Sequence, residues 1–137
     1  MAGYSRTPLP QKLGIKPGTT VVIINEPPQY RKLLGKLDRV TFSNRIAADS
    51  GFVHFFSTNR NELEKKLLIL REKIADNGTI WVSWPKKSAN VPTDITEDVV
   101  REIALPLGLV DIKVCAVDET WSGLKLMIRR ENRKSNK

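Results

Sequence analysis

The sequence is short of the residues from which many small-protein sites are built. One cysteine excludes an internal disulfide framework, and one histidine leaves no second imidazole to share a metal ion. No apolar run approaches the ~20 residues that a bilayer-spanning helix needs, and the first residues lack the apolar core of a secretory signal. A soluble, cytoplasmic protein without membrane contact is the expectation. The glycines form no phosphate-cradling loop, no serine stands on a nucleophile elbow, and no histidine is placed for a triad. No resident metal is therefore expected, and phosphate binding through a glycine-rich loop is excluded.

What is present suits a single domain. The 137 residues are 40% hydrophobic and 28% charged. A chain of this size buries about two-thirds of its unfolded surface without covalent staples. The net charge is +8, and half of it lies in the last nine residues, where Arg129, Arg130, Arg133, Lys134 and Lys137 face only Glu131. The reading is a domain over residues 1–130 and a basic, disordered tail over 131–137. Such a tail either solvates the chain or holds nucleic acid by counterion release.

The chain is organised around Thr79-Ile80-Trp81-Val82-Ser83-Trp84-Pro85-Lys86-Lys87. Its apolar, β-favouring start predicts a central strand covered on both faces, and Pro85 ends it because proline has no N–H for a neighbour. Two lysines follow, so positive charge is delivered just past the carboxyl end, where open α/β sheets bind ligands. Val21–Ile24 and Phe52–Phe56 read as buried strands, and Val40-Thr41-Phe42 as a short one. His54 reads as a core histidine bonded to a neighbour, and Cys115 as a buried inert thiol.

The helical signals are equally local. Thr7 caps a short helix that Gly14 ends, and Gln29–Leu34 gives one or two turns with Tyr30, Leu33 and Leu34 on the apolar side. Asn59 and Glu62 form a capping box for a helix from Arg60 to about Ala75, with Leu63, Leu67, Leu70 and Ile74 in one stripe and Asn77-Gly78 as its end. Asp94 and Glu97 form a second box, followed by Ile95, Val99, Ile103 and Leu107 as the buried stripe. Val110, Ile112, Val114 and Ala116 alternate with Asp111, Lys113 and Cys115, predicting a strand with one wetter face. Only Asp118 to Gly123 separates that run from the next, which permits a hairpin and no helical crossover.

These elements specify an α/β fold: a three-layer, Rossmann-like, mostly parallel sheet with helices on both faces and a C-terminal antiparallel hairpin strand. In that topology the strand exits share one edge. The candidate ligand-binding residues gathered there are Asn25 and Glu26, then Ser83, Trp84, Lys86 and Lys87, then Asp118, Glu119, Trp121 and Ser122. Lysines beside tryptophans at such an edge suit an anionic or planar ligand. The competing reading is that the acids solvate a turn and the tryptophans finish the core.

Two resemblances follow from these residues. The element order from Val21 to Arg130, the phrase Asn77–Pro85 and the entry Lys16-Pro17-Gly18 look like a shortened class I S-adenosylmethionine (SAM)-dependent methyltransferase fold. Leu13–Gly18, Trp84–Lys87 and Trp121–Leu126 resemble a family of small bacterial proteins known as a domain of unknown function. The first resemblance implies a glycine-rich turn after the first strand and an acid after the second to hold the cofactor. Here Asn25–Tyr30 has two prolines and no glycine, and no acid follows Phe42 before Asp49. The expectation is a degenerate, non-catalytic methyltransferase-like domain without a cofactor, binding a small anionic ligand or a protein partner at the carboxyl edge. The alternatives are an enzyme with an altered site, in which Glu26, Asp118 or Glu119 acts, and a nucleic-acid-binding accessory that uses the basic tail.

Overall fold

In the computed structural model, which describes residues 7–134, the β-branched run Thr20–Ile24 (β1) is flanked by parallel strands on both sides. Thr41–Ser43 (β2) lies at the edge and Ser50–Phe56 (β3) inside. Ile74–Pro85 (β4) continues the parallel half. Trp121–Ile128 (β6) then runs antiparallel beside β4, and Leu109–Ala116 (β5) closes the far edge. The order is β2-β1-β3-β4-β6-β5. This is the expected mostly parallel sheet, with a C-terminal hairpin supplying the one reversed strand.

Helices cover both faces. On one, Leu63, Leu67 and Leu70 of Arg60–Lys73 (α3) and Val100 and Ala104 of Glu97–Ala104 (α4) pack against Val53, Ile80, Leu124 and Leu126. On the other, Leu13 of Leu9–Leu13 (α1) and Tyr30 and Leu34 of Tyr30–Leu34 (α2) pack against Ile23, Phe56 and Trp81. The Trp81 indole N–H donates to the Leu13 carbonyl at 2.9 Å, so the last turn of α1 is tied to the central strand. Each fully buried side chain of this size stabilises by about 1.5–3 kcal/mol. Among the described residues, no helix is long and apolar enough to cross a membrane.

Several local readings change. The helix α3 ends at Lys73, not near Ala75, and Gly78 sits inside β4 instead of capping a helix. There the strand bulges between its pairings at Ile74 and Thr79, and a Cβ on Gly78 would lie 2.6 Å from Ile74 Cγ1. The glycine is required by close packing. Pro8, not Thr7, stands at the N-cap position of α1, without a side-chain cap bond, and Leu33 faces solvent. Asp94 does not start α4: Thr96 caps it, accepting from Val99 N, while the Asp94 carboxylate accepts from Arg60 N at 2.7 Å across the gap to α3. Val100 and Ala104 replace Val99 and Ile103 at the centre of the α4 stripe. Ile112 and Val114 are 48% and 43% exposed, because β5 is an edge strand whose register slips between Asp111 and Lys113. Of the basic segment 131–137, residues up to Lys134 are described: a 3-10 turn spans Arg130–Asn132, and Arg133 Nε donates to the Ile128 carbonyl. The rest lies outside the described residues.

Candidate functional site

Four chain reversals make one continuous rim at the carboxyl ends of the parallel strands. Asn25 Nδ2 donates to the Phe56 carbonyl at 3.0 Å, linking β1 to β3. Ser57 N donates to Ser83 O at 3.0 Å, linking β3 to β4. Pro85 pairs with Trp121, and Lys86 N donates to Thr120 O at 2.8 Å, linking β4 to the β5–β6 turn. The tryptophan-proline-lysine and tryptophan-serine-glycine corners are therefore adjacent.

Most polar side chains on this rim hold it together. Asn25 takes a left-handed conformation, φ 61°, and also reaches Glu62 Oε2 at 3.1 Å, while Ser57 Oγ donates to Glu62 Oε1 at 2.7 Å. Glu62 thus serves the rim instead of returning to the backbone of its own helix cap. Glu26 pairs with Arg31 at 3.0 Å. Asp118 is nearly buried; one oxygen accepts from Thr120 N and Trp121 N at 2.8 and 2.7 Å, and the other accepts from Gln29 Nε2 at 3.0 Å. A carboxylate with these bonds fixes the hairpin turn. Glu119 stays exposed at its tip.

Beneath the rim runs a closed polar chain. Tyr30 Oη meets His54 Nδ1 at 2.7 Å, and His54 Nε2 meets Ser83 Oγ at 2.7 Å. All three residues are fully buried, with Phe56 stacked on the imidazole at 4.1 Å. Burial pushes His54 from its ordinary 6.5 down to about 3, so the ring stays neutral, and the same cause raises the Tyr30 phenol. His54 is the bonded core histidine that the sequence implies. Ser83, expected to meet a ligand, is instead inside the core. Cys115 is half-buried, and burial raises its thiol above the ordinary value, as for an unreactive cysteine.

Strand alternation sorts the remaining candidates onto opposite faces. Trp84 and its partner Ser122 lie toward α4, whereas Trp121 turns to the other face and packs edge-on against Phe56 at 5.1 Å. On the α4 face a groove of about 710 Å³ opens beside Lys86 and Lys87, with Trp84, Val91 and Ile95 as its apolar wall and Ser122 and Thr96 as polar neighbours. Glu97 and Asp98 border it, but Glu97 is ion-paired with Arg101. Four of the ten candidates, Trp84, Lys86, Lys87 and Ser122, share this groove; Asp118, Glu119 and Trp121 line the adjacent turn, and Asn25 and Glu26 stand beyond β3. The sequence reading missed Thr96 and Ile95. The signal for them was Thr96 before the acids Glu97 and Asp98, a better helix start than Asp94.

Among solved structures the chain is similar to a "putative type 11 methyltransferase" from Sulfolobus solfataricus, at 16% identity and TM-score 0.56, over 88% of this chain and 89% of that one. It is also similar to LepI in complex with SAH and a substrate analogue, at 14% identity and TM-score 0.50, over 88% of this chain but only 39% of LepI. The fold is methyltransferase-like. Residues 44–130 match the family described as protein of unknown function (DUF3052), and the chain belongs to that family. No curated protein matches it.

The fold class raises the question of SAM, and the residues where it would lie do not suit it. The turn after β1 has no glycine through which backbone could approach a ligand. Pro27 and Tyr30 are buried there, laying the turn and α2 against the sheet, and the Asn25 amide is spent on Phe56 and Glu62. After β2, Ser43 Oγ bonds Arg45 N, and no acid precedes Asp49.

Proposed function

We propose that this chain is a non-catalytic binding domain on a methyltransferase-like fold, and that it holds a small anionic ligand in the groove beside Lys86 and Lys87. The observation that carries this reading is the pairing of those lysines with a wall of Trp84, Val91 and Ile95. Lysine offers a charge to a carboxylate or phosphate, and the wall offers contact area to an apolar or planar body. Supporting it, the rim carboxylates Glu26 and Asp118 are occupied by Arg31 and by the hairpin turn, so neither is held ready as a base. The domain so proposed holds no SAM in the usual pose.

Calorimetric titration of the purified chain with SAM, and separately with small aromatic carboxylates and phosphates, tests it. The expected result is heat from an anionic compound that is lost in a Lys86→Gln/Lys87→Gln variant, and none from SAM. SAM binding that disappears in Glu26→Ala would overturn it in favour of an enzyme.

A further inference from the structure

A second groove lies on the opposite face, at the amino ends of the parallel strands. Its volume is about 800 Å³, and Lys16, Gly18, Thr79, Lys125 and Met127 contribute to its lining, with Asp49 on the wall formed by the β2–β3 loop. Lys113 stands directly across the ladder from Lys125. Like charges directly opposite one another on a sheet face destabilise the pairing. Lys16, from the turn after α1, adds a third charge to the same field, since both Lys16 and Lys113 act on Lys125. Lys12 extends the row, its ammonium donating to Ala116 O at 2.8 Å. Among the described residues none of Lys16, Lys113 and Lys125 makes an ion pair. Lysines mutually repelling in this way are costly unless something of opposite charge comes between them.

We infer that Lys16, Lys113 and Lys125 form a binding site for a small, multiply charged phosphate anion on the face of β5 and β6 remote from α4. Three cations from separate segments are poorly matched by a single carboxylate. An oligophosphate spans them, and each ammonium then acts as a point charge on a phosphoryl oxygen. Thr79 and Asn77 at the groove edge supply neutral polar groups, and Met127 supplies apolar contact. Bound phosphate also relieves the repulsion across the Lys113–Lys125 pair, so ligation and sheet stability are linked. The site is independent of the Lys86 groove, and either can fail without the other.

The test is titration of the full chain with inorganic tripolyphosphate, and separately with a thymidine 12-mer, at low and moderate salt, with Lys113→Gln, Lys125→Gln and, as an exposed control on α3, Lys65→Gln. Tripolyphosphate should bind the parent chain and Lys65→Gln alike and bind each of the other two variants at least about tenfold more weakly, as expected for loss of a charge-assisted contact. Without ligand, Lys113→Gln should melt at or above the parent temperature, because it removes a repulsion. If the 12-mer also binds and is lost in the same variants, the phosphate of a nucleic acid is the source and the site stands. Absent tripolyphosphate binding, or equal affinity for it in all variants, would overturn the inference.

Discussion

Acidification below neutrality should destabilise this protein, and the cause is one residue. His54 is the only histidine in the chain, and its ring is enclosed between Tyr30, Ser83 and Phe56 with its proton affinity lowered to about 3. The unfolded chain takes up a proton near 6.5, while the folded chain refuses it until about pH 3. Stability is therefore complete above 6.5 and declines as pH falls through that value, by up to about 1.4 kcal/mol per unit. Between pH 7 and 5 the loss integrates to about 2 kcal/mol. For a chain of this length that lowers the melting temperature by about 7 °C. Urea denaturation at half-unit pH intervals measures the slope directly. A His54→Gln variant, though less stable at pH 7, should show almost no slope over the same range. Stability that stays flat from pH 7 to 5, or a native imidazole proton resonance that titrates near 6.5, would refute the argument.

Other substitutions probe single contacts. Gly78→Ala drives a methyl group against Ile74 and the Ala75 carbonyl, and should cost about 1–3 kcal/mol in urea denaturation. Asp118→Ala releases two backbone N–H groups and Gln29 from the hairpin turn; a loss of about 1–3 kcal/mol is expected, with faster amide exchange at Thr120 and Trp121. Asn59→Ala removes the side-chain cap on Glu62 N and should lower stability by about 1 kcal/mol, whereas Asn61→Ala on the same exposed turn should leave it nearly unchanged.

The sequence carried the central architecture because the strands that define it are buried on both faces and so read as continuous apolar runs. Val21–Ile24, Phe52–Phe56 and Ile80–Trp84 were legible for that reason. The edge was not: Ile112 and Val114 alternate as a core strand would, yet a one-residue slip against β6 and the lack of an outer neighbour leave them in solvent. Capping was legible as chemistry but not as address, since Asp94 caps α3 from 34 residues away and Glu62 turns to Ser57 and Asn25. At the candidate site the shared rim was foreseeable from strand polarity. That Trp121 and Ser122 part to opposite faces follows from strand alternation, but which of them joins Trp84 on the α4 face depends on a register no composition reveals. The lysine row on the other face was invisible for the same reason, because Lys113 and Lys125 become neighbours only once the hairpin is aligned.

The position of β6 has a consequence for how the molecule is made. It is the last of the described strands but lies between β4 and β5, and β5 has no ladder to any other strand. On a ribosome the parallel half can assemble early, while β5 waits without its partner until residues beyond Trp121 emerge. A nascent chain stopped at the hairpin turn would leave β5 bare on both edges and β4 bare on the edge that β6 covers. Insertion of β6 is thus the step that joins a lone strand to the parallel half and covers the edge that β4 would otherwise present.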